Sequence, residues 1–246
     1  MELLDGLNMK IFAKIRFYYG AAVISLIAAG IMVPLMAIFP KKYSAILHFW
    51  NKAIVFLIGG KIVLHGEANK EADMYVINHQ GIIDIVSIEA AQNLDLRWVA
   101  KKQLFDAPWF GYVLKLPDMI EVDREDKSGL VKLLRDIKDT VNNEEKKRIV
   151  AIFPEGTRTD KQALLNFKGG TRIVAEKLKL TVQPIVITNS KKLLNEHNKT
   201  AHNATVHINY LDSFAVSREN KGWYDEIREK MQTCIDNEYN ENERER

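Results

Sequence analysis

Cysteine is almost absent from this chain, which has 246 residues and a single cysteine, Cys234. One thiol excludes an internal disulfide and any zinc site built from several cysteines. The chain also has no Gly-x-Ser-x-Gly sequence, so a serine hydrolase is disfavoured. The net charge is small as well. A formal net charge of +3 is mild for this length and does not indicate a nucleic-acid-binding protein.

Charged residues are missing altogether from Phe17 to Pro40. A helix over this run would be about 36 Å long, enough to cross a hydrocarbon core of roughly 30 Å. The run is too long for a signal peptide, and no small-residue cleavage site follows it. Basic residues flank it on both sides: Lys10, Lys14 and Arg16 come before it, and Lys41 and Lys42 come after it.

Two membrane arrangements fit this apolar run. It crosses the bilayer once, or it forms a helical hairpin, broken near Pro34 or Pro40, that enters one leaflet and returns. Basic residues at both ends do not select a crossing direction, whereas they suit a hairpin with both ends at one anionic surface. A buried core helix is the third possibility. From this we predict a membrane-anchoring segment over residues 1–60, a catalytic domain over 61–240 and a charged tail over 241–246.

Strands and helices alternate after the apolar segment, which predicts an α/β fold with a mostly parallel sheet flanked by helices. Short apolar, β-prone runs predict strands at 61–66, 74–77, 97–100, 118–122, 148–153, 182–187 and 204–211. Apolar residues at helical spacing predict helices at 81–92, 103–116, 128–141, 170–180 and 223–239.

The most informative residues are His79 and Asp84, which lie where the strand at 74–77 leads into a helix. Ligands gather at such strand ends in open α/β sheets. A histidine there, with a carboxylate about one helical turn away, is a candidate general base with its orienting partner. The alternative is that Asn78 caps the helix beside a core histidine with no chemical role.

Polar clusters follow two further predicted strands. Asp123 and Arg124 follow one, and the run Pro154–Arg158 follows another. In a parallel sheet these clusters and His79 leave the same edge, and two arginines there suit a phosphate group. Lys168 opens the next helix, whose N-terminus is a weak anion site. Each cluster taken alone could be an ordinary surface turn.

Together, these strings resemble the motifs of the glycerolipid acyltransferase family, in particular its bacterial 1-acyl-glycerol-3-phosphate (lysophosphatidate) acyltransferase branch. The matching strings are Asn78-His79-x4-Asp84, Ile120–Arg124, Phe153-Pro154-Glu155-Gly156-Thr157-Arg158 and Val182–Val186. The resemblance covers about residues 60–215, and the N-terminal apolar helices also suit the family. The second motif departs from the usual Phe-Ile-x-Arg, because this chain has Glu121-Val122-Asp123-Arg124, and this leaves the choice of acceptor open.

The resemblance implies a glycerol-3-phosphate acyltransferase-like fold with an N-terminal two-helix membrane segment. His79 would remove the proton from the 2-hydroxyl of the lysolipid as it attacks an acyl thioester, and Asp84 would orient the imidazole. The residues implied to bind substrate are Arg124, Glu155, Gly156, Thr157, Arg158 and Lys168. No metal and no cofactor would be required.

The implied reaction transfers a fatty acyl group to 1-acyl-sn-glycerol 3-phosphate and gives phosphatidic acid in phospholipid biosynthesis. The partners would be lysophosphatidic acid, acyl-CoA or acyl-carrier protein as the donor, and membrane lipid, with no nucleic acid. The enzyme would lie at the cytoplasmic face of the inner (cell) membrane, which favours the hairpin. Two alternatives stay open: another acceptor, such as a different lysolipid or glycerol 3-phosphate, and a lipid-binding or transfer protein without chemistry.

Overall fold

The computed structural model describes residues 2–123, 129–159, 161–217 and 219–244. The helices are α1 (Glu2–Ser25), α2 (Val33–Ile38), α3 (Tyr43–Leu57), α4 (Ile82–Ala91), α5 (Lys102–Phe105), α6 (Tyr112–Lys115), α7 (Gly129–Val141), α8 (Gly169–Leu178), α9 (Ser190–Leu193) and α10 (Trp223–Arg244). The strands are β1 (Gly60–His65), β2 (Met74–Ile77), β3 (Leu96–Lys101), β4 (Ile120–Val122), β5 (Ile149–Ile152), β6 (Thr181–Thr188), β7 (Leu194–Asn195), β8 (Thr200–Ala201), β9 (Ala204–Tyr210) and β10 (Phe214–Ala215).

These elements form two compact units. The first comprises Met1–Leu64, Gln80–Asn93 and Ile187–Ile208, and the second comprises His65–His79, Leu94–Val186 and Asn209–Arg246. The first unit takes in α4 because α3 packs along it. The division of the chain after residues 60 and 240 stays a prediction.

The N-terminus of the first unit is a helical hairpin. A π-helical segment, Leu26–Met32, joins α1 to α2, so the chain is helical without a break from Glu2 to Ile38. A 3₁₀ turn at Pro40–Lys42 then leads into α3, which packs back on α1 and α2. Of the two expected break points, the chain therefore turns at Pro40 and not at Pro34. Pro34 lies in the first turn of α2 directly after the π-helical segment, where the helical hydrogen-bonding pattern already changes and can accommodate a residue without an N–H.

The hairpin exposes a large apolar surface. Among the described residues, one helix, Asn8–Ile38, is long and apolar enough to cross a membrane by length and composition. Several apolar side chains of the hairpin keep 60–80% of their surface exposed: Met9, Phe12, Ile15, Leu26, Ile38, Phe49 and Phe56. Side chains of this size are rarely exposed in such numbers on a protein surrounded by water, so the hairpin presents a surface suited to lipid.

A buried polar pair joins α3 to α4 within this unit. His48 Nδ1 lies 2.9 Å from the Glu89 carbonyl oxygen and 3.2 Å from its carboxylate, and both side chains are almost fully buried. Ser44 Oγ lies 3.0 Å from the other ring nitrogen. These contacts give both imidazole nitrogens a partner and fix α4, the helix that carries Asp84.

The second unit is built on a parallel sheet. Its strands lie in the order β6-β2-β5-β3-β4, each parallel to its neighbour, and β10 joins the far side of β6 in the antiparallel sense. The central strands β2 and β5 are buried along their whole length, as their unbroken apolar sequences require. The predicted α/β fold with a mostly parallel sheet is confirmed.

Three helices cover one face of this sheet. Apolar side chains of α7, α8 and α10 pack on the strands in one continuous core that includes Ile137, Val174, Trp223 and Met231. Of these, α7 is the most clearly amphipathic in sequence, with Leu133 and Ile137 buried and Val131 exposed. The helices therefore hold the sheet rigid from one side and leave its strand ends free to carry a site.

One predicted helix is wrong. Residues 103–116 form two short helices, α5 and α6, separated by a tight turn. Trp109 has a positive φ of 60° within that turn, and Gly111 approaches the Phe105 carbonyl so closely that a Cβ would lie 2.1 Å from its oxygen. A continuous helix cannot pass through a left-handed residue, so the apolar spacing of this segment was misleading.

Buried Arg148 links the N-terminal ends of β5 and β3. Its guanidinium donates to Asp95 Oδ1 at 2.9 Å and to the Leu96 carbonyl at 2.9 Å, and its side chain is 4% exposed. We expect Arg148→Leu to lower the free energy of unfolding by about 3 kcal/mol, because it leaves a carboxylate and a buried carbonyl without their donor. The midpoint of thermal unfolding in one detergent should fall by roughly 6–12 °C.

Arg135→Leu is the matched control for Arg148→Leu. Arg135 also forms an ion pair, with the adjacent Asp136 at 3.3 Å, but its side chain is 67% exposed. Exposed pairs contribute about 0–1 kcal/mol, so this variant should unfold close to the wild-type midpoint. Equal midpoints for the two variants would show that the buried network at Arg148 does not stabilise the sheet.

Candidate active site

His79 lies just beyond the carboxyl end of β2. The strand and Asn78 are buried, whereas His79 is half-buried and so remains accessible to a ligand. Neighbouring strand β5 is parallel to β2, with Val76 opposite Ile152, so the residues after β5 reach the same edge. The sequence prediction that these two strand ends share one edge is confirmed by this register.

Glu155 fixes the backbone at His79. The His79 N–H donates to Glu155 Oε1 at 2.8 Å, and the Leu165 N–H donates to Glu155 Oε2 at 2.7 Å. The side chain is 1% exposed. One buried carboxylate thus joins the end of β2 to the chain ten residues after itself, which is a role in positioning. That Glu155 contacts substrate stays a prediction.

An aromatic stack supports the His79 ring. The imidazole lies parallel to the Phe153 ring, with centroids 3.8 Å apart and planes 11° apart. Phe153 in turn stacks on Trp98 at 5.3 Å, and Trp98 is buried. The stack restricts rotation of the imidazole.

The turn after β5, which includes Arg158, is hydrogen-bonded to the backbone of His79. Gly156 has a φ of 71°, which only glycine adopts without strain, and its N–H closes the turn on the Phe153 carbonyl at 3.1 Å. Thr157 and Arg158 follow with exposed side chains. The next residue, Thr159, donates its N–H to the His79 carbonyl at 3.1 Å. The backbone therefore ties the Thr157-Arg158 pair directly to the histidine.

The backbone of Lys168 is hydrogen-bonded to the same turn. Its N–H donates to the Pro154 carbonyl at 2.8 Å, and its side chain is exposed. It immediately precedes α8, and a Cβ placed on Gly169 would meet nothing within 4 Å. The first amides of α8 are thus open to a ligand, and the positive end of the helix dipole lies beside the ammonium group.

Asp84 belongs to the first unit, where it is fully buried in the first turn of α4. Its Oδ2 accepts the Gln80 N–H at 2.6 Å and the Gly81 N–H at 2.8 Å. Gly81, not Asn78, occupies the N-cap, so the alternative of an Asn78 cap is wrong. Since Gln80 directly follows His79 in sequence, these bonds fix the chain immediately after the histidine.

The second motif is only partly described. Asp123 follows β4 and accepts a hydrogen bond from Lys102 Nζ at 3.2 Å. Arg124, predicted to bind phosphate, lies outside the described residues. Within the described parts of the chain, no group of three or more His, Cys, Asp and Glu side chains could hold a metal ion.

Glu196 was not found by sequence reasoning. In the first unit its carboxylate accepts the Ile82 N–H at 3.3 Å, at the first residue of α4. A second carboxylate thus lies at the positive end of the helix that carries Asp84. Glu196 is more than a hundred residues from Ile82 in sequence and has no motif around it, so no local signal could have identified it.

Comparison with known proteins gives consistent results. A family model described as Acyltransferase matches residues 61–188. A 1-acyl-sn-glycerol-3-phosphate acyltransferase of Helicobacter pylori (strain J99) is 37% identical over 177 residues, 72% of this chain and 73% of that protein. The enzyme of the same name from Escherichia coli (strain K12) is 28% identical over 199 residues, 79% of this chain and 78% of that protein.

A solved structure has the same fold. The crystal structure of the 1-acyl-sn-glycerophosphate (LPA) acyltransferase PlsC from Thermotoga maritima aligns with a TM-score of 0.70 over 93% of this chain and 95% of that chain. Sequence identity in that alignment is 18%, so the likeness concerns the fold alone.

Proposed function

The chain belongs to the acyltransferase family, in its 1-acyl-sn-glycerol-3-phosphate acyltransferase branch, and we propose from this premise that it acylates the 2-hydroxyl of 1-acyl-sn-glycerol 3-phosphate to give phosphatidic acid. The observation that carries the proposal is the backbone hydrogen bond between His79 and the chain that follows the turn at Pro154–Arg158. The Thr159 N–H donates to the His79 carbonyl, which supports a site in which the candidate base lies close to Arg158, and the Lys168 N–H donates to the Pro154 carbonyl of the same turn. A hydroxyl next to a phosphate is the substrate that such a pairing suits.

In the proposed mechanism His79 acts as the general base. It takes the proton of the 2-hydroxyl while the oxygen attacks the thioester carbonyl. The tetrahedral intermediate then collapses and the C–S bond breaks. The leaving thiolate is protonated by the imidazolium, which returns His79 to its neutral form. Because the nucleophile is the substrate's own hydroxyl, no acyl-enzyme forms. The Phe153 face supports the imidazolium while it holds the proton.

Asp84 stabilises the charged state of His79 in this proposal. A buried carboxylate on the following helix favours the imidazolium and selects the tautomer with a free basic nitrogen, as the aspartate does in a serine hydrolase triad. The two amide bonds to Asp84 hold its carboxylate in one orientation. Asp84 thereby acts as a positioning and electrostatic residue, and not as a proton acceptor.

Arg158, Lys168 and Thr157 bind the acceptor's phosphate in this proposal. Their side chains are exposed, and two of them are cationic. Arginine gives two parallel donors to a phosphate, and lysine adds a point charge. Gly156 allows the turn to approach the substrate closely. Arg124 would add a third cation from the second motif.

The donor is an acyl thioester, carried by CoA or by acyl-carrier protein, and the reaction needs no cofactor. Transfer by purified protein in detergent tests the proposal, with each donor offered separately and 1-acyl-sn-glycerol 3-phosphate as the acceptor. Labelled phosphatidic acid is the expected product. Release of free fatty acid without an acceptor would instead indicate a hydrolase, and product only with a different lysolipid would change the assigned acceptor.

The N-terminal hairpin is proposed to lie in the cytoplasmic leaflet of the cell membrane without crossing it. If Asn8–Ile38 crossed the bilayer with its N-terminus inside, α3 would have to return the chain to the side of the donor. It has 15 residues, about 22 Å of helix, which is shorter than a hydrocarbon core of roughly 30 Å. A hairpin whose helices lie along one leaflet also leaves Lys10 and Lys14, at one end of the long helix, and Lys41 and Lys42, at its turn, at the same anionic surface.

Cysteine labelling tests this topology. In a Cys234→Ser background, Asn8→Cys and Lys42→Cys place one thiol at each end of the apolar helix. We expect neither thiol to react with an impermeant maleimide added to intact cells, and both to react after permeabilisation. Labelling of one end from outside would show that the helix crosses the membrane.

A further inference from the structure

Four large apolar side chains are exposed in the segment between β3 and β4. Leu104, Trp109, Phe110 and Tyr112 keep 48%, 56%, 37% and 48% of their surface exposed. We name residues 102–115 the aromatic loop. All of it belongs to the second unit, whereas the N-terminal hairpin belongs to the first.

The fold holds this loop in one shape. Phe105 is buried and anchors the loop, the Phe110 N–H donates to the Pro108 carbonyl, and the Gly111 N–H donates to the Ala107 carbonyl. Trp109 sits at the apex with a positive φ. A left-handed backbone is unfavourable for a tryptophan by about 1–2 kcal/mol. The structure thus keeps a large aromatic ring at the surface although a relaxed backbone would favour a different residue there.

The residue types are those of a membrane interface. The Trp109 and Tyr112 rings meet edge to face at 6.3 Å, and Lys115 Nζ lies 5.7 Å from the centre of the Tyr112 ring. Tryptophan and tyrosine concentrate at the level of lipid headgroups because each has an apolar body and a polar group. Lysine beside them extends its ammonium group to the headgroups while its chain stays in the apolar layer.

The charges around the loop suit an anionic surface. Two acidic groups are already engaged, Asp123 by Lys102 and Asp118 by Arg97. Within residues 101–115, all of which the structure describes, the other exposed charges are Lys101 and Lys115 against Asp106. The net charge of these residues is therefore positive, as a contact with anionic lipid requires.

The position of the loop links it to the site. β3 is parallel to β5, and β5 is parallel to β2, so the loop leaves the sheet at the edge where His79 follows β2. If the acceptor is a membrane lipid, this edge must meet the bilayer that supplies it. An exposed aromatic loop at the same edge is the part of the second unit with the chemistry to do so.

We propose that the aromatic loop is a second lipid-contact surface, which places Trp109 and Tyr112 among the headgroups of an anionic bilayer. The proposal rests on the proposed function for the origin of the lipid, but its test reads contact with lipid and not turnover. The two can therefore fail separately. The occupant is a lipid surface, and a second copy of the chain is an alternative that the same test detects.

A fluorescent probe at position 109 tests the contact. Burial raises the pKa of the Cys234 thiol to about 11, with a further effect from Glu238, so the native cysteine reacts slowly, and Cys234→Ser removes it. Trp109→Cys in that background is labelled with an environment-sensitive dye, and the full chain is placed in vesicles of phosphatidylcholine and phosphatidylglycerol. Glu144→Cys is the matched control, because Glu144 is exposed but precedes β5, at the opposite edge of the sheet.

Emission from position 109 should shift to shorter wavelength and be quenched by nitroxide-labelled lipid, whereas emission from position 144 should do neither. Equal behaviour of the two positions would overturn the proposal. A shift at position 109 without quenching by the lipid would also overturn it, since the loop would then contact another protein copy. Vesicles of phosphatidylcholine alone should give weaker quenching, because the exposed lysines lose their partners.

A double variant gives an independent measurement. Trp109→Ser with Tyr112→Ser should raise the acceptor KM roughly tenfold when the acceptor is embedded in vesicles, a small part of what full burial of two aromatic side chains would contribute, because both rings lie at headgroup level. With the acceptor in detergent micelles, kcat should stay near the wild-type value, since neither side chain belongs to the proposed machinery. An equal loss in both assays would show that the loop supports the fold or the site and not the membrane contact.

Discussion

Replacing His79 with alanine is expected to lower kcat for acyl transfer by about 10²–10⁴-fold, the contribution of a positioned general base. The hydroxyl of the acceptor is a poor nucleophile while it holds its proton, and half-buried His79, at the edge shared by β2 and β5, is the proposed base. The measurement is the rate of labelled phosphatidic acid formation with saturating donor and acceptor. The acceptor KM should change much less, because the phosphate contacts are intact.

His65→Ala is the control for this variant. His65 is an exposed histidine at the end of β1 with no place in the proposed site, so its replacement should leave the rate near that of the wild type. Thermal unfolding of both variants separates loss of chemistry from loss of fold. Wild-type acyl transfer by folded His79→Ala would rule out His79 as the general base.

The sheet and the location of the site could be predicted because both depend on local patterns. Runs such as Met74–Ile77 and Ile149–Ile152 are apolar at every position, which is the pattern of strands buried on both faces. Once the strands are known to be parallel, the residues that follow them must share an edge. The position of His79 close to Phe153 and Glu155 follows from this geometry.

The aromatic loop could not be predicted in the same way. Its apolar residues have helical spacing, and Pro108 is tolerated near a helix start, so the pattern favours one helix over 103–116. What breaks that helix is the left-handed backbone at Trp109 and the close approach of Gly111 to the Phe105 carbonyl. Both depend on how the chain packs after it leaves β3, and neither changes the apolar spacing.

The role of Glu155 was hidden for a different reason. Its two backbone donors belong to His79 and Leu165, which are 76 residues before it and 10 residues after it in sequence. From sequence alone, a glutamate in a turn three residues before an arginine indicates a substrate contact or a surface ion pair. Only the folded chain shows that its carboxylate is buried and that its two oxygens receive N–H groups from two different segments.

Glu155→Gln is expected to reduce kcat by roughly 10–10²-fold, because an error of about 1 Å in the position of a catalytic group has an effect of that order. The carboxylate accepts one N–H at each oxygen. Glutamine has almost the same shape but offers one oxygen and one NH₂ group, so one of the two backbone donors must face another donor. The backbone at His79 or at Leu165 then moves, and unfolding becomes easier by about 1–3 kcal/mol.

Steady-state kinetics separate a positioning role from a substrate contact for Glu155. A positioning role lowers kcat and leaves the acceptor KM close to that of the wild type, whereas a lost contact with the acceptor raises KM. Glu121→Gln is the matched control, because Glu121 is a half-buried glutamate on β4, two strands away from β5, and its carboxylate pairs with Lys132 at 3.2 Å. That variant should retain both constants. A raised KM with unchanged kcat in Glu155→Gln would place the carboxylate on the substrate, and the bond to the His79 N–H would then have no catalytic consequence.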